Sequence, residues 1–385
     1  MENFTILPSG NVLPKERLYE RSQELVTLLL PNTILMFLLL IFGFTGNVII
    51  LYCYGYRIKK GKGQSNRDFI TCLATYDLLA CVLGSSFGIA LNFHPLDFKH
   101  DVVCRLLWFA TGTSVFGAWL ILAVIAIHRY RMICRPLADQ LTVSGRRKSA
   151  FMAALVGSIV AFPSLFLFGA HEFTIKGFDS KGYTCGKLVR EDLKILQSFY
   201  DLVIGIVGFA TFFVILILYC FVGRVIYLRV RMQRYNRKRV TTVLQERSSS
   251  TAEKDRLSAG SRAISTITLF DSKGDLTSLQ SEMANNLKIK EKKNTPNRLR
   301  WKDFRFSFMF ITISVMYIVS YLPRTYISIR ERLDTDLWKS LTDQETVLYL
   351  FLYRMYIVNS VTNPIVYGVF DSRLRKEIRK VVCTR

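Results

Sequence analysis

The 385 residues are 50% hydrophobic, and their mean hydropathy is positive (+0.25) although the formal net charge is +23. Apolar and basic residues must therefore be segregated along the chain, which argues against a soluble protein of several domains. The basic clusters stand at the ends of apolar segments, so they indicate membrane topology and not a surface for nucleic acid.

The N-terminal segment, residues 1–25, is polar. It has no basic region followed by an apolar core, so we predict no cleaved signal peptide and expect the first membrane span to direct insertion. Asn3 begins the triplet Asn-Phe-Thr, an acceptor for N-glycosylation that is usable only outside the cell. We therefore predict an extracellular tail that is glycosylated at Asn3.

Seven segments are long and apolar enough to cross a bilayer core of roughly 30 Å. Each must be helical, because a helix satisfies its own backbone hydrogen bonds in lipid. The predicted spans are residues 26–57, 68–92, 102–131, 148–170, 196–230, 303–329 and 344–370. We predict an all-α membrane protein, a seven-transmembrane helix bundle with a short amphipathic C-terminal helix.

Charged residues at the span ends predict the orientation of this bundle. Lys and Arg cluster after the first, third and fifth spans, at 57–62, 131–148 and 229–239. The loops on the opposite side carry acidic and basic residues in nearly equal number. Because excess positive charge marks the cytoplasmic side, we predict a multi-pass protein of the cell membrane with an extracellular N-terminus.

Two segments are predicted to lie on the cytoplasmic side, outside the bundle. Residues 231–302 are rich in Ser, Thr, Lys and Arg and poor in aromatics, so we predict a disordered loop. In residues 371–385, Leu374 and Ile378 recur at helical spacing among bases, a pattern typical of an amphipathic helix on an anionic membrane surface. Cys383 is either a palmitoylation site or an unmodified thiol.

Asp77 stands in the middle of the second span, where a carboxylate is costly and is expected to face the bundle interior. Asn47 lies at similar depth in the first span, and Asn359, Ser360 and Asn363 share one face of the seventh. Together these groups can hold a cation or a proton, or they form a hydrogen-bonded polar core.

Two prolines stand inside predicted spans, Pro323 in the sixth and Pro364 in the seventh. Proline removes a backbone hydrogen bond and weakens a helix locally. Both positions are therefore predicted hinges, which suit a bundle that switches between two packings.

The third span carries Cys104 and Arg129 at opposite membrane faces. Cys185, in the loop between the fourth and fifth spans, lies on the same side as Cys104. An oxidising exterior favours a disulfide between these two cysteines. The loop from His171 to Cys185 contains two short β-prone runs around a turn, so we predict a β-hairpin.

Short motifs follow one another along the seven spans in a fixed order. They are Gly46-Asn47-Val48, Leu73-Ala74 with Asp77, Cys104 with Cys185, His128-Arg129-Tyr130, Pro323 and Asn363-Pro364-Ile365-Val366-Tyr367. This set resembles the rhodopsin-like (class A) G-protein-coupled receptors. The resemblance implies a receptor and not an enzyme, without a cofactor, that binds an extracellular ligand and activates a heterotrimeric G protein. Arrestin and receptor kinases are further implied partners.

The resemblance also implies roles for particular residues. Arg129 and Tyr367 lie at the floor of the G-protein crevice, Tyr219 belongs to the switch, and the Asp77 group resembles the sodium pocket. The family's usual acidic residue beside Arg129 is replaced here by His128.

The inner side of the bundle departs from the family at further positions. Thr211 stands where the fifth span has a proline, and Trp119 and Tyr317 replace the residues that normally pack against it. Tyr321 replaces a tryptophan, and Ala118 replaces a hydroxyl near the sodium. These departures bear on sodium sensitivity and on the activation linkage.

Arg324 is the most informative residue for ligand class, because it follows Pro323 and is predicted to point into the outer cavity. A buried guanidinium suits a ligand carboxylate, a sulfate or an amidated acidic peptide. The alternatives are an internal ion pair or a side chain that extends to the surface. Further wall candidates are Phe87, Thr111, Tyr321, Thr325, Ser328 and Tyr353.

Several ligand classes and functions compete. By resemblance, Thr111 argues against an amine ligand and Ile357 argues against retinal. The hairpin is similar to that of the family's peptide receptors, which favours a neuropeptide-like ligand. The alternatives are a small acidic or lipid ligand, and a membrane transporter, although the chain has no internal repeat.

Asp303, at the inner end of the sixth span, can replace the missing acidic partner of Arg129. We predict that Asp303→Asn raises ligand-independent signalling, because the mutation removes a carboxylate that keeps the bundle closed. The measurement is basal nucleotide exchange on a G protein in membranes with matched receptor density. Unchanged basal exchange in Asp303→Asn would show that this carboxylate is not the lock.

Overall fold

The computed structural model describes residues 14–58, 64–174, 181–188, 190–261, 301–334 and 337–382. The predicted glycosylation at Asn3 and the predicted lipidation of Cys383 lie outside these ranges. The helices are α1 (Pro14–Leu28), α2 (Leu30–Tyr52), α3 (Gln64–Phe93), α4 (Asp101–Cys134), α5 (Val143–Ala161), α6 (Ser164–Leu167), α7 (Glu191–Ser261), α8 (Trp301–Leu333), α9 (Leu337–Ser340), α10 (Asp343–Arg354), α11 (Tyr356–Phe370) and α12 (Ser372–Val382).

Six helical segments in the described chain are long and apolar enough to cross a membrane. They are Leu30–Arg57, Arg67–Phe93, Asp101–Cys134, Val143–Leu167, Glu191–Met232 and Phe304–Glu331. The first includes the short π-helix Cys53–Arg57 that follows α2. The seventh predicted span is present as two helices, α10 and α11, which meet at Met355. Neither half is long enough to span alone, and they follow each other directly.

The N-terminal segment differs from the predicted tail, because residues from Pro14 onward form helix α1. Pro14 is favourable in the first helical turn, and the Lys, Glu, Arg and Gln residues that follow are good helix formers. The helix ends just before Pro31, which lies in the first turn of α2. Arg21 forms an ion pair of 3.0 Å with Asp343, which joins α1 to the start of α10.

The fourth predicted span ends earlier than residue 170. Helix α5 stops at Ala161, the short α6 follows Pro163, and strand β1 (Phe168–Thr174) begins immediately afterwards. Strand β1 pairs antiparallel with β2 (Lys181–Lys187), with Ala170 opposite Cys185. The predicted hairpin is therefore confirmed, while its turn lies outside the described residues.

The described chain divides into two compact units, Met1–Cys220 with Arg305–Arg385, and Phe221–Phe304. In the second unit, helix α7 continues to Ser261, although the fifth span was expected to end near residue 230. Arg, Lys, Gln and Glu in this stretch have high helix propensity, so the helix does not end where the apolar segment does. Helix thus covers 231–261 of the loop for which we predict disorder, and residues 262–300 are not described.

Glycines allow the helices of the first unit to approach closely. A Cβ added at Gly157 in α5 would lie 2.9 Å from the backbone nitrogen of Gly117 in α4. A Cβ at Gly46 in α2 would lie 3.0 Å from the ring of Pro364 in α11. These positions fix the spacing of α4 against α5 and of α2 against α11.

The C-terminal helix α12 is attached to the bundle by polar contacts. The Tyr54 hydroxyl donates to Asp371 at 2.6 Å, and Asp371 accepts from the backbone N–H of Arg373 at 2.8 Å, which caps the helix. Arg57 forms an ion pair of 3.4 Å with Glu377. The predicted amphipathic helix is confirmed, and it begins against the end of the first span.

We predict that Gly157→Ala destabilises the protein, because the new methyl group must push α5 away from the α4 backbone. Overpacking of this kind costs about 1–3 kcal/mol, and the midpoint of thermal unfolding of the purified protein measures it. Gly205→Ala in α7 is the matched control, because a Cβ there has nothing within 4 Å. An unchanged midpoint in Gly157→Ala would contradict the close packing of α4 and α5.

Candidate functional site

The two ends of α4 provide the reference for the site. Cys104, near its start, forms a disulfide with Cys185 of β2, with the two Cα atoms 5.7 Å apart. We call this the disulfide end of the bundle, and we call the opposite one the Arg129 end. The Cys104–Cys185 pairing predicted from the sequence is confirmed.

The β-hairpin is held against the connection between α3 and α4. The backbone N–H of Tyr183 donates to Leu96 at 2.8 Å, and the N–H of Phe98 donates to Tyr183 at 3.0 Å. The Tyr183 hydroxyl donates to Glu172 at 2.5 Å, and Lys181 lies 2.9 Å from the same carboxylate. The hydrogen bond from Tyr183 and the charge of Lys181 lower the pKa of Glu172 below its ordinary value. Glu172 is therefore paired across the two strands of the hairpin.

The predicted polar core assembles around Asp77. Asn363 donates to Asp77 Oδ2 at 2.7 Å, and Asn47 donates to the backbone oxygen of Ser360 at 3.0 Å. Asp77, Asn47, Asn359, Ser360 and Asn363 are all buried. The structure thus brings together α2, α3 and α11 through groups that the sequence placed at one depth.

Four buried oxygen atoms in this core accept no hydrogen bond from the described residues. They are Oδ1 of Asp77, Asn47, Asn359 and Asn363. Buried acceptors without donors are costly, and hard oxygen atoms suit a small cation. The donor set therefore fits sodium, although Ala118 is buried beside α3 without contributing an oxygen.

An aromatic column, composed of Trp119, Tyr317, Tyr321 and Tyr356, runs through the bundle. Tyr317 and Tyr321 stack at 4.4 Å between ring centroids, and Trp119 meets each edge-on, at 6.0 and 5.6 Å. Tyr356 lies 5.7 Å from Tyr321. Trp119, Tyr317 and Tyr321, which all depart from the family pattern, thus pack against one another.

Gly208 in α7 makes room for the large ring of Trp119. A Cβ at Gly208 would lie 3.0 Å from that ring. The fifth span therefore contacts the column through a glycine one turn before Thr211, the residue that stands in place of the expected proline.

Arg324 of α8 lies between two tyrosines of the seventh span. Its Cζ atom is 4.6 Å from the ring centroid of Tyr353 and 4.5 Å from that of Tyr356. Its Nη2 atom donates to the Tyr353 hydroxyl at 3.4 Å, a long contact. No carboxylate forms an ion pair with Arg324 in the part of the chain that the structure describes.

The other predicted wall residues fall into different places. Tyr321 and Tyr353 join Arg324, and Thr111 is buried in α4. Phe87 belongs to a separate cluster, where its ring meets Trp108 edge-on at 5.7 Å near Cys104 and Cys185. Thr325 is exposed and its hydroxyl donates to the backbone of Tyr321, while Ser328 is half-buried one turn beyond Arg324.

Arg354 is not among the ligand-binding residues predicted from the sequence. Its position inside an apolar span could have indicated a functional residue, because arginine is rare and costly there. It is 7% exposed and donates to the side-chain oxygens of Asn32 and of Asn92, the latter at 2.8 Å. Asn92 donates in turn to Asn32 at 3.1 Å and to Thr33 at 2.9 Å. We call Arg354, Asn32, Thr33 and Asn92 the Arg354 cluster. It connects α2, α3 and α10.

At the other end, Arg129 is fully buried, with its Cζ atom 4.8 Å from the ring centroid of Phe310. The ring of His128 packs on Phe69 at 5.1 Å. The Tyr130 ring has Arg135 over it at 6.0 Å. These contacts position the His-Arg-Tyr triplet at the base of α4.

The structure describes the remaining predicted switch residues, except for the side chain of Asp303. Tyr219 and Tyr367 are buried, Pro323 lies inside α8, and Pro364 lies inside α11. Asp303 belongs to helix α8, but its side chain lies outside the described ones, so its predicted role stays a prediction. A feature not foreseen from the sequence is the ion pair of 2.9 Å between Asp68 and the buried Arg146.

Comparison with known proteins identifies the family. Residues 46–367 match the model of the 7 transmembrane receptor (rhodopsin family), so the chain belongs to that family of membrane receptors. It is 23% identical to Neuropeptide receptor npr-1 of Caenorhabditis elegans, over 94% of this chain and 75% of the relative. It is 23% identical to a Cholecystokinin receptor of Xenopus laevis (89% and 73%) and 24% identical to Melatonin receptor type 1A of Gallus gallus (97% and 86%).

Family membership confirms several predictions that were made from the sequence. The chain is a multi-pass membrane receptor built as a seven-helix bundle, and it is not an enzyme. The two halves that meet at Met355 therefore constitute the seventh span.

Proposed function

We propose that this receptor binds an extracellular acidic peptide at its disulfide end and activates a heterotrimeric G protein at its Arg129 end. The observation that carries the ligand class is the guanidinium of Arg324, held between two tyrosine rings with no carboxylate partner in the described chain. Two of the relatives named above are receptors for peptides by name, which supports the peptide.

The proposed orientation places the disulfide end outside the cell. Basic residues cluster in the loops on the Arg129 side, which is typical of cytoplasmic loops. A disulfide between Cys104 and Cys185 requires an oxidising compartment, and the exterior provides it. Both arguments favour an extracellular N-terminus.

Arg324 is suited to bind an acid because the tyrosine rings position its charge without neutralising it. Cation–π contacts of this kind contribute about 0.5–2 kcal/mol, less than a desolvated carboxylate partner can. The hydrogen-bond partners of Arg324 are the Tyr353 and Tyr356 hydroxyls, which are neutral. A ligand carboxylate or sulfate can therefore add the missing negative charge in a charge-assisted pair.

The aromatic column offers a route from Arg324 to the inner half of the bundle. Tyr356 contacts both Arg324 and Tyr321, and Tyr321 stacks on Tyr317. Arg324 also stands next to Pro323, the proposed hinge of α8. A ligand that binds Arg324 better in one arrangement of α8 shifts the population toward that arrangement.

The Arg129 end is the proposed G-protein site. Arg129 and Tyr367 are completely buried, and Tyr219 is nearly so. Opening of α8 and α11 at their prolines would expose these groups to a partner. Arrestin and receptor kinases are proposed to act on the same cytoplasmic side, and the surface of α12 to lie on the bilayer.

The polar core around Asp77 would hold a sodium ion, which would neutralise the buried carboxylate when bound. The residues of this core are Asp77, Asn47, Asn359, Ser360 and Asn363. We predict that Na⁺ raises the thermal unfolding midpoint of the wild-type receptor and not that of Asp77→Asn. At a concentration of about five times Kd, binding adds about 1 kcal/mol, or about 1 °C for a chain of this length. Choline at equal ionic strength is the control. Equal stabilisation by both cations would contradict a sodium site.

The ligand proposal is tested by screening a neuropeptide library for receptor-dependent nucleotide exchange, and by repeating active peptides on Arg324→Gln. Loss of a charge-assisted hydrogen bond costs about 1.5–3 kcal/mol, so potency should fall about ten- to a hundredfold. Arg330→Gln is the matched control, because Arg330 lies on the same helix and its contact to Tyr326 is exposed.

The outcomes separate the competing functions. Unaltered peptide potency in Arg324→Gln would remove Arg324 from the binding site. Activation by small acids or lipids, and by no peptide, would support the alternative ligand class instead. One of the relatives named above, Melatonin receptor type 1A, is named for a ligand other than a peptide. Substrate flux in liposomes without a G protein would indicate a transporter.

A further inference from the structure

A second guanidinium lies beside the proposed ligand site. Arg354 follows Tyr353, the residue whose ring carries Arg324 at 4.6 Å. Both guanidiniums are close enough to interact electrostatically with the Tyr353 hydroxyl. One tyrosine thus interacts with two positive charges that come from different helices.

The contacts of Arg354 orient its charge but do not neutralise it. Its Nη1 atom donates to the amide oxygens of Asn32 and Asn92, which are neutral. Among the described residues, no carboxylate lies within ion-pair distance of Arg354. An arginine buried in a membrane bundle is expected to have an acidic partner or a functional role, because amide dipoles offset only part of its desolvation.

Some N–H groups of the Arg354 cluster are still available for hydrogen bonds. Nε and Nη2 of Arg354 bond to none of the described residues, and neither atom is completely enclosed. The Nδ2 atom of Asn32, a buried donor, also has no acceptor in the described chain. Three kinds of N–H group at one place therefore lack an acceptor, and an anion provides one.

The cluster lies at the helix ends that are close to the disulfide. Asn32 stands in the first turn of α2, and Asn92 stands one residue before the end of α3. The chain then passes directly to α4 and its Cys104 disulfide. The Arg354 cluster thus lies at the disulfide end, on the side of Tyr353 that belongs to α2 and α3.

One acidic side chain lies near Tyr353 and could in principle neutralise the two guanidiniums. Glu331 interacts electrostatically with Tyr353, but it accepts a hydrogen bond from Trp338 at 3.2 Å and pairs with neither guanidinium. The two positive charges therefore remain without a counter-charge in the described chain.

From these observations we propose that Arg354 is a second anion-binding residue of the ligand site. The site then selects a ligand with two acidic groups, one for Arg324 and one for Arg354, spaced across Tyr353. This inference rests on the proposed function, because it assumes that Arg324 faces the ligand, and it adds a specificity-determining residue to that site.

The competing explanation is that Arg354 only ties α2, α3 and α10 together. Both explanations predict a less stable protein when Arg354 is removed, so stability alone does not separate them. Only the anion-binding role predicts a preference for paired acids that depends on Arg354. The experiment therefore compares acids with one and two carboxylates.

The probes are α,ω-dicarboxylates from malonate to suberate, with acetate and butyrate as monocarboxylates, at equal carboxylate concentration and equal ionic strength. The readout is the thermal unfolding midpoint of the purified full-length receptor, which requires no G protein. We expect one dicarboxylate length to stabilise the wild type at a concentration about tenfold below that of the monocarboxylates, because its second group binds intramolecularly.

Four variants complete the design. Arg324→Gln and Arg354→Gln should each abolish the preference for the dicarboxylate and leave a monocarboxylate effect, whereas Arg330→Gln should retain the preference. Gly88→Ala is a second variant in case Arg354→Gln does not fold. Its Cβ would meet the Arg354 guanidinium at 3.4 Å and Met36 at 3.3 Å, so it should weaken the preference without removing the charge.

Any of three results would overturn the inference that Arg354 binds an anion. These results are equal stabilisation by mono- and dicarboxylates, no stabilisation by any of them, and a dicarboxylate preference that persists in Arg354→Gln. A monocarboxylate effect that depends on Arg324 alone would refute the role of Arg354 and leave the proposed function intact. Failure of every peptide to stimulate nucleotide exchange would instead refute the proposed function.

Discussion

Charge buried inside a membrane bundle is the constraint on which this structure depends. Lipid supplies no hydrogen bonds, so each buried ionic group must find its partners within the protein or in a ligand. Asp77 takes an amide from Asn363 and retains one oxygen without a donor. Arg354 takes two amide oxygens, and Arg324 takes two aromatic faces. These incompletely partnered groups are the places at which we propose that an ion or an acidic ligand binds.

The aromatic column gives the bundle interior an unusual composition for its family. Trp119, Tyr317 and Tyr321 each differ from the residues expected there, and they pack on one another. Gly208 compensates for the added volume at Trp119. The column contacts Arg324 through Tyr356, and Asp77 acts electrostatically on Tyr317 and Tyr321. The ligand and the cation that we propose would therefore act on the same set of rings.

The arrangement at Met355 has a related physical consequence. Tyr353 and Arg354 end one helix and Tyr356 begins the next. Adjacent residues around this junction contact different neighbours, with Tyr353 and Tyr356 against α8 and Arg354 against α2 and α3. Residues three apart share a helix face, and successive side chains differ by about 100° of rotation. The seventh span thus contacts α8 with one face and α2 and α3 with another.

The sequence by itself determined the helical class, the seven membrane spans, the hairpin, the disulfide and the polar residues around Asp77. Hydropathy, charge bias and proline positions depend on local chemistry and on the bilayer thickness, so they are readable without coordinates. Tertiary structure alone decided that Arg354 is buried among Asn32 and Asn92, that Phe87 lies apart from Arg324, and that the seventh span is broken. Those outcomes depend on which faces of distant helices meet, and helical periodicity within one span does not encode that choice.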